Sequence, residues 1–192
     1  MRTFIYMVRH GESPKIEGNE RTRGLTDKGK LDAHIITELL RDEGIDHFVS
    51  SPYRRATLTI EELAQSSGKE VNVLEELRET VFVSDDKIVP DKELYPLVEK
   101  LFSDPEYSAP GGESIMICQN RAILALKRIL KEYQGQKVVI GTHGVVMTLM
   151  MGYYDRQYDL EFLWKTSKPD IYRMEFDKDE LVEIQRLWKV QL

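Results

Sequence analysis

At 192 residues and 22.4 kDa, the chain is long enough for one domain with a full hydrophobic core and short for two independent domains. Hydrophobic residues make up 41% and charged residues 31% of it, which excludes disordered and collagen-like proteins. Because 33 acidic residues outnumber 27 basic ones, for a net charge of −6, a general nucleic-acid-binding surface is also disfavoured. Any anion that the protein binds must therefore meet a local cluster of basic side chains.

Cysteine content and apolar runs bear on the compartment. Cys118 is the single cysteine, so no disulfide within the chain and no multi-cysteine zinc site can form, and we expect a reducing cytoplasm. The apolar run over residues 3–8 meets Arg9 too early for a signal peptide, so we expect no export signal. Residues 138–154 lack Asp, Glu, Lys and Arg, but they are too short for a membrane span. We expect them to form a buried strand and a buried helix, with no membrane contact.

The first predicted elements are a strand and an amphipathic helix. Phe4 to Val8 predicts a buried strand that delivers the polar run 9–12 to a loop. Thr26 is placed to cap a helix, and Gly44 is placed to end it. The apolar residues that recur at helical spacing between them are Leu31, Ile35, Ile36, Leu39 and Leu40.

A second strand and helix follow. Ile45 to Val49 predicts a strand, and the run 50–52, Ser-Ser-Pro, supplies an N-cap serine and a proline suited to the first helical position. Arg54 and Arg55 then fall in the first turn of a helix that runs towards Gly68.

The next segment predicts an excursion from this pattern. Val71 to Leu74 is a third short strand, but from Thr80 to Gly112 the periodicity weakens and acidic residues outnumber lysines. We expect this segment to form a lid. The acidic residues are Asp85, Asp86, Asp91, Glu93, Glu99, Asp104 and Glu106, and the lysines are Lys87, Lys92 and Lys100.

Regular structure returns after the excursion. Ser114 is predicted to cap a helix that ends near Gly135. Val138 to Ile140 predicts a strand, residues 141–144 a tight loop, and Val145 to Met151 the start of a helix. The apolar face of the first of these helices consists of Ile115, Cys118, Ala122, Leu126, Ile129, Leu130 and Tyr133.

The predicted elements indicate an α/β fold. Strands and helices alternate up to about residue 150, which predicts a three-layer α/β/α sandwich with a mostly parallel central sheet. Ile171 to Phe176 and Leu181 to Val190 flank a polar turn and predict a hairpin. The hairpin strands could pair within the chain or across a dimer edge, so we expect a monomer or a homodimer. We expect a single domain over residues 1–192, with the lid at about 80–112.

Three polar residues follow predicted strands directly or nearly so. They are His10, Arg55 and His143. Because ligands gather beyond the carboxyl ends of parallel strands, we expect these side chains to converge. Together with Arg9 they predict an anion-binding pocket.

Several motifs resemble those of the histidine phosphatase superfamily, also called the phosphoglycerate mutase-like family. The carriers are the Arg-His-Gly-Glu run at 9–12, the Thr-His-Gly run at 142–144 and the run 50–56, in which Arg55 precedes an alanine. Segments 25–29, Leu-Thr-Asp-Lys-Gly, 77–79, Leu-Arg-Glu, and 110–114, Pro-Gly-Gly-Glu-Ser, are similar to further family segments and occur in the same order. The resemblance covers nearly the whole chain.

The resemblance implies a phosphohistidine mechanism without a metal or a cofactor. His10 would attack a phosphate monoester, and water would then hydrolyse the phosphohistidine. Arg9 and Arg55 would hold the phosphoryl oxygens, and His143 as imidazolium would complete the clamp. Glu79 would protonate the leaving oxygen and then help to deprotonate water.

This mechanism places a requirement on His10, and the choice among three neighbouring glutamates stays open. His10 would need one unprotonated ring nitrogen, with the other nitrogen held as a donor, for example by a backbone carbonyl. Glu75 and Glu76 lie close enough in sequence to be mistaken for Glu79.

A hydrolase acting on a small phosphorylated metabolite is favoured over a phosphoglycerate mutase. Where mutases carry an asparagine, this chain reads Ser-Pro-Lys-Ile at 13–16. An acidic lid would also repel the second anion of a bisphosphate. The first loop nonetheless carries Ser13, Arg21 and Arg23 as candidate substrate-binding residues, and the basic ones, with Lys15, keep the mutase reading open. A non-catalytic module that binds a phosphorylated ligand is the third alternative.

Overall fold

The computed structural model describes residues 1–84 and 87–189 of the chain. Asp85, Asp86 and Val190, which belong to the predicted lid and the predicted last strand, lie outside the described residues. In chain order the elements are β1 (Arg2–Arg9), α1 (Asp27–Leu40), β2 (His47–Ser50), α2 (Arg54–Ser66), β3 (Val71–Val73), α3 (Asp91–Ser103), α4 (Ile115–Glu132), β4 (Lys137–Thr142), α5 (Gly144–Tyr154), α6 (Leu160–Lys165), β5 (Asp170–Asp177) and β6 (Glu180–Arg186).

The strands form one sheet in the order β3-β2-β4-β1-β5-β6. β1 pairs with β4, β4 with β2 and β2 with β3, all in parallel. β5 is antiparallel to β1, and β6 is antiparallel to β5. The predicted mostly parallel sheet and the predicted hairpin are both confirmed. The carboxyl ends of β1, β2 and β4 lie next to one another at one edge.

Both faces of the sheet are covered by helices. Along β1, Ile5 and Met7 join the core that α4 and α5 complete. Tyr6 and Val8 point to the opposite face and join the core of α1 and α2. This alternation follows from the two-residue repeat of a strand, and a strand buried on both faces has to be apolar at successive positions. The three-layer α/β/α architecture is therefore confirmed.

The loop after β1 is anchored on the start of α1. Thr26 caps this helix, since its Oγ1 accepts a hydrogen bond of 3.1 Å from the backbone N–H of Gly29. The hydroxyl of Thr26 also donates to Oε1 of Glu12 at 2.8 Å. A Cβ atom at position 29 would lie 2.2 Å from the carbonyl oxygen of Glu12, so only glycine permits this approach. The contact fixes the chain directly after His10.

The start of α2 differs from its prediction. The helix begins at Arg54 with Tyr53 as its N-cap residue, not at a serine. Ser51 lies one turn earlier, where its Oγ accepts a hydrogen bond of 3.2 Å from the backbone N–H of Tyr53. The serine therefore stabilises the turn that leads into the helix, and Arg55 still falls in the first helical turn, as predicted.

The predicted excursion contains a helix that the weak periodicity did not reveal. α3 occupies residues 91–103, with Pro96 inside it. Its apolar residues recur at helical spacing and pack against the core next to α4; they are Leu94, Leu97, Val98, Leu101 and Phe102. Whether residues 80–112 act as a lid on a single domain stays a prediction.

The stretch without charged residues forms β4 and α5, as predicted. Neither α5 nor any other helix within residues 1–84 and 87–189 combines the length and the apolar character needed to cross a membrane.

Candidate active site

His10 follows directly after β1 and is nearly fully buried. Its Nδ1 lies 2.7 Å from the carbonyl oxygen of Gly11, which can only accept, so Nδ1 carries the proton. Its Nε2 accepts a hydrogen bond of 3.2 Å from Nε–H of Arg55. Burial holds the pKa of His10 well below its usual value, and the neighbouring Arg55 and His143 lower it further. The imidazole is therefore neutral, with its lone pair on Nε2.

Arg55 places a buried guanidinium beside this nitrogen. Besides the bond to His10, its Nη1 donates to the carbonyl oxygen of Glu20 at 2.5 Å and its Nη2 donates to the Glu20 carboxylate at 2.9 Å. The guanidinium also lies over the ring of Tyr53, 5.0 Å from its centroid. Burial, followed by the charge of Arg23, lowers the pKa of Arg55 to about 10, so the group stays positive at neutral pH.

Glu20 is a site residue that the sequence analysis missed. Its carboxylate accepts hydrogen bonds from Arg55 and also from Nε and Nη2 of Arg23, at 3.2 and 3.1 Å. A single carboxylate thus bridges the guanidinium groups of Arg23 and Arg55. An acidic residue directly before Arg21 in a loop carries no motif, and its role depends on how the loop folds back.

His143 lies beside His10, with 5.2 Å between the ring centroids. It is fully buried, and its Nε2 forms a hydrogen bond of 2.6 Å with Oγ of Ser51. Its Nδ1 is buried and has no hydrogen-bond partner within the described residues. Burial lowers the pKa of His143 well below its usual value, and Arg55 is the strongest of the cations that add to this effect. With these neighbours His143 is neutral, which corrects the expectation of an imidazolium.

Arg9 forms the side of the site next to α5. Its guanidinium donates to the hydroxyl of Thr166 and, at 3.3 Å, to the carbonyl oxygen of the same residue. A Cβ atom at position 144 would lie 2.8 Å from Nη2 of Arg9, so Gly144 makes room for the guanidinium at the start of α5. Burial lowers the pKa of Arg9, while Glu79 and Asp170 act in the opposite direction.

Glu79 is held at the N-terminus of α5. Its Oε1 accepts a hydrogen bond from the backbone N–H of Val146 at 2.9 Å, and its Oε2 accepts one from Val145 at 3.1 Å. Helix N-termini attract carboxylates because their first N–H groups have no partner within the helix. Glu75 and Glu76, the sequence alternatives to Glu79, do not line the pocket. Glu75 binds Arg21, and Glu76 pairs with Arg128.

Arg121 braces the segment that carries Glu79. Its Nη1 donates to the carbonyl oxygens of Glu76 and Arg78 at 2.7 and 2.9 Å, and its Nη2 donates to that of Glu79 at 3.2 Å. Its Nε donates to the carboxylate of Glu113 at 3.1 Å. The glutamate of the Pro-Gly-Gly-Glu-Ser run thus acts through Arg121 on the position of Glu79.

These residues meet at one pocket. We call Arg9, His10, Arg55 and His143 the floor of the pocket. The pocket is lined by Arg9, His10, Glu20, Arg23 and Glu79. Two residues of the floor, Arg55 and His143, are buried and lie behind this lining. We call the exposed lining residues of the pocket the mouth; they are Lys87, Asp91, Tyr95, Trp164 and Lys168.

Within the described part of segment 80–112, the side that lines the pocket carries one acidic residue. Of the described acidic residues in segment 80–112, only Asp91 lines the pocket, and Lys15 pairs with it and also donates to the carbonyl oxygen of Val89 at 3.2 Å. Lys87 and apolar side chains form the rest of this wall. Apart from Asp91, the described acidic residues of segment 80–112 lie outside the pocket lining, so the described residues give no support to repulsion of a second anion by the lid.

The three first-loop candidates have different positions. Arg23 lines the pocket. Ser13 donates to the carbonyl oxygen of Gly24 at 2.6 Å, and Arg21 binds the carboxylate of Glu75 at 2.5 and 3.2 Å. Neither of these two belongs to the described pocket lining. Over the described ranges, no group of three or more His, Cys, Asp and Glu side chains is arranged to hold a metal ion.

Comparison with known proteins places this arrangement in a family. The family model of the histidine phosphatase superfamily (branch 1) matches residues 5–187. A curated relative, "Probable phosphoglycerate mutase GpmB" of Salmonella paratyphi B, is 29% identical over 156 residues, which cover 74% of this chain and 70% of that protein. Bacillus stearothermophilus YhfR superposes with a TM-score of 0.77 at 26% identity and 94% coverage of both chains. The mycobacterial glucosyl-3-phosphoglycerate phosphatase superposes with a TM-score of 0.76 at 18% identity and 97% coverage of both. The chain therefore belongs to the histidine phosphatase superfamily.

Proposed function

We propose that the protein is a metal-independent phosphomonoester hydrolase that acts on a small phosphorylated metabolite through a phosphohistidine intermediate. The observation that carries this proposal is the state of His10. Its Nε2 is unprotonated, accepts a hydrogen bond from Arg55 and faces a pocket that Glu79 also lines. A nucleophile, a cation and a carboxyl group thus surround one space where a phosphoryl group fits.

In the first step, the lone pair on Nε2 of His10 forms a bond to phosphorus while the ester P–O bond breaks. The leaving oxygen takes a proton from the carboxyl group of Glu79, so that an alcohol departs. The hydrogen bond from Nδ1 of His10 to the carbonyl oxygen of Gly11 stabilises the positive charge that the ring gains.

The floor stabilises the charge on the phosphoryl oxygens during this transfer. Arg9 and Arg55 supply guanidinium donors in a water-poor site, where such donors are most effective. A phosphoryl oxygen that binds Nη2 of Arg55 takes the place that the carboxylate of Glu20 holds in the structure. His143, with Nδ1 free of protein partners, can donate a further hydrogen bond if Ser51 donates to its Nε2.

In the second step, water replaces the alcohol. Glu79, now a carboxylate, takes a proton from that water, whose oxygen attacks phosphorus as the P–N bond breaks. The bonding electrons return to Nε2, His10 is again neutral, and inorganic phosphate leaves. Names of relatives support the phosphoryl chemistry, since the mycobacterial neighbour is described as a phosphatase.

Phosphoglycerate mutase is the second candidate. The relative that is 29% identical is named as a probable mutase, and the described part of the pocket wall formed by segment 80–112 carries Lys87 as well as Asp91. A mutase returns the phosphoryl group to the substrate, whereas a hydrolase passes it to water. The rates of isomerisation and of phosphate release from 3-phosphoglycerate therefore separate the two.

The proposed function is tested by hydrolysis of p-nitrophenyl phosphate after treatment with a chelator, with wild type, His10→Ala and His10→Gln. We expect turnover that survives chelation and falls by at least about 10³-fold in both variants, because the nucleophile is lost. His34→Ala is the matched control, since His34 is an exposed histidine that pairs with Glu62. Labelled phosphate that stays on wild type in base and is lost in acid identifies phosphohistidine. Equal turnover in wild type and in folded His10→Gln would overturn the proposal.

A further inference from the structure

A lysine without a carboxylate partner lies at the mouth of the pocket. Lys168, between α6 and β5, lines the pocket and is exposed to solvent. No hydrogen bond or ion pair joins its ammonium group to any other described residue. Asp91 is the acid whose charge acts on it, and Asp91 is already paired with Lys15. Lys165, on the neighbouring helix α6, is by contrast paired with Glu161.

The charges that face Lys168 are mostly positive. Arg9 approaches from β1, Lys15 and Arg23 from the first loop, and Asp91 from α3. Loss of hydration between these elements lowers the pKa of Lys168 to about 8; Arg9 and Lys15 lower it further and Asp91 opposes them. The ammonium group is still mostly charged at neutral pH. An additional anion next to it would therefore be stabilised.

Lys168 shares the pocket with the floor, and this limits which part of a ligand it can bind. Arg9 of the floor and Lys168 line the same pocket, so a ligand whose phosphoryl group lies against Arg9 can present its remaining part to Lys168. Apolar side chains line the way, among them Leu94 and the pair Tyr95 and Trp164, whose rings meet edge to face at 5.4 Å. If the phosphoryl group binds at the floor as proposed, the leaving group of the substrate lies in this part of the pocket.

We propose that Lys168 binds a second anionic group, a carboxylate or a second phosphate, that the substrate carries on a compact, partly apolar leaving group. Lys87, which lines the pocket from the other wall and has no charged partner within the described residues, adds to the positive potential there. The proposal rests on the proposed function, because it assigns the phosphoryl group to the floor and the remainder of the same molecule to the mouth.

Three aryl phosphates test this assignment. Phenyl phosphate has no second anion, 4-carboxyphenyl phosphate has a carboxylate, and 1,4-phenylene bisphosphate has a second phosphate on the same frame. Steady-state constants are measured for wild type, Lys168→Met and the control Lys165→Met, a lysine of α6 outside the pocket. Comparing each substrate between proteins cancels differences in leaving-group chemistry.

We expect Lys168→Met to raise KM for at least one of the two doubly anionic substrates by about tenfold, with kcat unchanged, as for the loss of one charged hydrogen bond. The substrate with the larger effect identifies the anion. KM for phenyl phosphate should change by less than about twofold, and Lys165→Met should change nothing. The preference of wild type for the doubly anionic substrate should also fade as pH rises past about 8, where Lys168 loses its charge.

Two results would overturn the proposal. An equal loss on all three substrates would place Lys168 in the phosphoryl clamp, and no loss on any of them would leave it without a role in binding. If wild type hydrolyses none of them, calorimetric binding of 4-carboxyphenylphosphonate and phenylphosphonate to wild type and Lys168→Met replaces the kinetics. A contribution of Lys168 to binding of the carboxylated ligand alone would support the second site although hydrolysis had failed.

Discussion

The floor and the mouth of the pocket differ in how much of their hydrogen-bonding capacity the protein itself uses. At the floor, Arg55 is buried and each of its three donor nitrogens has a partner, with His10 on one side and Glu20 on the other. At the mouth, Lys168 is exposed and without a partner among the described residues. The donors of Arg55 at the floor are thus already used within the protein, whereas Lys168 at the mouth has donors that the described residues leave unused.

This difference teaches where chemistry and selectivity reside. The floor is built where β1, β2 and β4 end side by side, so the core of the sheet holds its geometry. The mouth is built from α3 and the segment before it and from α6 and the segment after it. Substitutions at the floor should therefore change kcat for every substrate, and substitutions at the mouth should change KM for some.

The largest effect within this comparison is expected from Glu79→Gln. Loss of the proton donor should lower kcat for alkyl phosphates by about 10²–10⁴-fold, and less for p-nitrophenyl phosphate, whose leaving group needs no proton. Glutamine retains the size of the side chain. Steady-state rates on both substrates check this, with Glu76→Gln, on the outer pair with Arg128, as control. A uniform loss on both substrates would assign Glu79 to structure instead of proton transfer.

Arg55→Lys tests the saturated floor directly. An ammonium group cannot donate to His10 and to a phosphoryl oxygen in the fixed geometry of a guanidinium, so we expect kcat/KM to fall by about 10²-fold. Arg54→Lys, at the neighbouring exposed position, should leave kcat/KM unchanged. Retention of wild-type kcat/KM in Arg55→Lys would show that position 55 contributes charge alone.

Stability should depend on pH through the two buried histidines. The pKa values of His10 and His143 are lowered in the folded protein, so below about pH 6.5 the unfolded chain binds more protons than the folded one. The free energy of unfolding should thus fall as pH falls, by up to about 1.4 kcal/mol per pH unit for each histidine. Urea unfolding between about pH 5.5 and 7.5 measures this.

Two variants separate the sources of that slope. His143→Gln should remove about half of it. His34→Gln should preserve the fall, since His34 is exposed and its pairing with Glu62 raises its pKa, which gives the opposite sign. A wild-type free energy of unfolding that stays constant over the same pH range would contradict neutral, buried histidines at the floor.

The smallest effect is expected at the contact between the first loop and α3. Lys15 and Asp91 are half-exposed partners, so a double-mutant cycle with Lys15→Met and Asp91→Asn should give a coupling below about 1 kcal/mol in the free energy of unfolding. Chemical unfolding of the four proteins provides the measurement. A coupling several times larger would mean that this part of the mouth is as firmly held as the floor.

Sequence reasoning reached the floor because strand ends are readable. A buried strand such as β1 is a continuous apolar run, and the polar residue that follows it has to lie at the edge of the sheet. His10 and His143 were found in this way, and Arg55 by its place after β2. The neutral state of His143 could not be read in the same way, because it follows from burial among other cations.

The residues of the mouth could not be predicted from the sequence, and the reasons are physical. α3 contains Pro96 and many acidic residues, which obscured an apolar face that packs well on the core. Lys168 follows a six-residue helix and has no motif around it, so only the packing of α6 shows that it lines the pocket. The same holds for Glu20, whose loop folds back onto Arg55. The charged side chains of a loop can be counted from a sequence, but whether they point into a pocket depends on tertiary contacts.

The carboxylate of Glu20 should make the floor of the pocket favour doubly charged anions over singly charged ones. It already neutralises one positive charge between Arg23 and Arg55. A singly charged anion that displaces it exchanges one negative charge for another and gains little electrostatic free energy. A phosphoryl dianion brings an additional charge to the same guanidinium groups, and only this surplus favours displacement. We therefore expect small monoanions, which are abundant in any aqueous medium, to bind more weakly at the floor than a phosphoryl dianion.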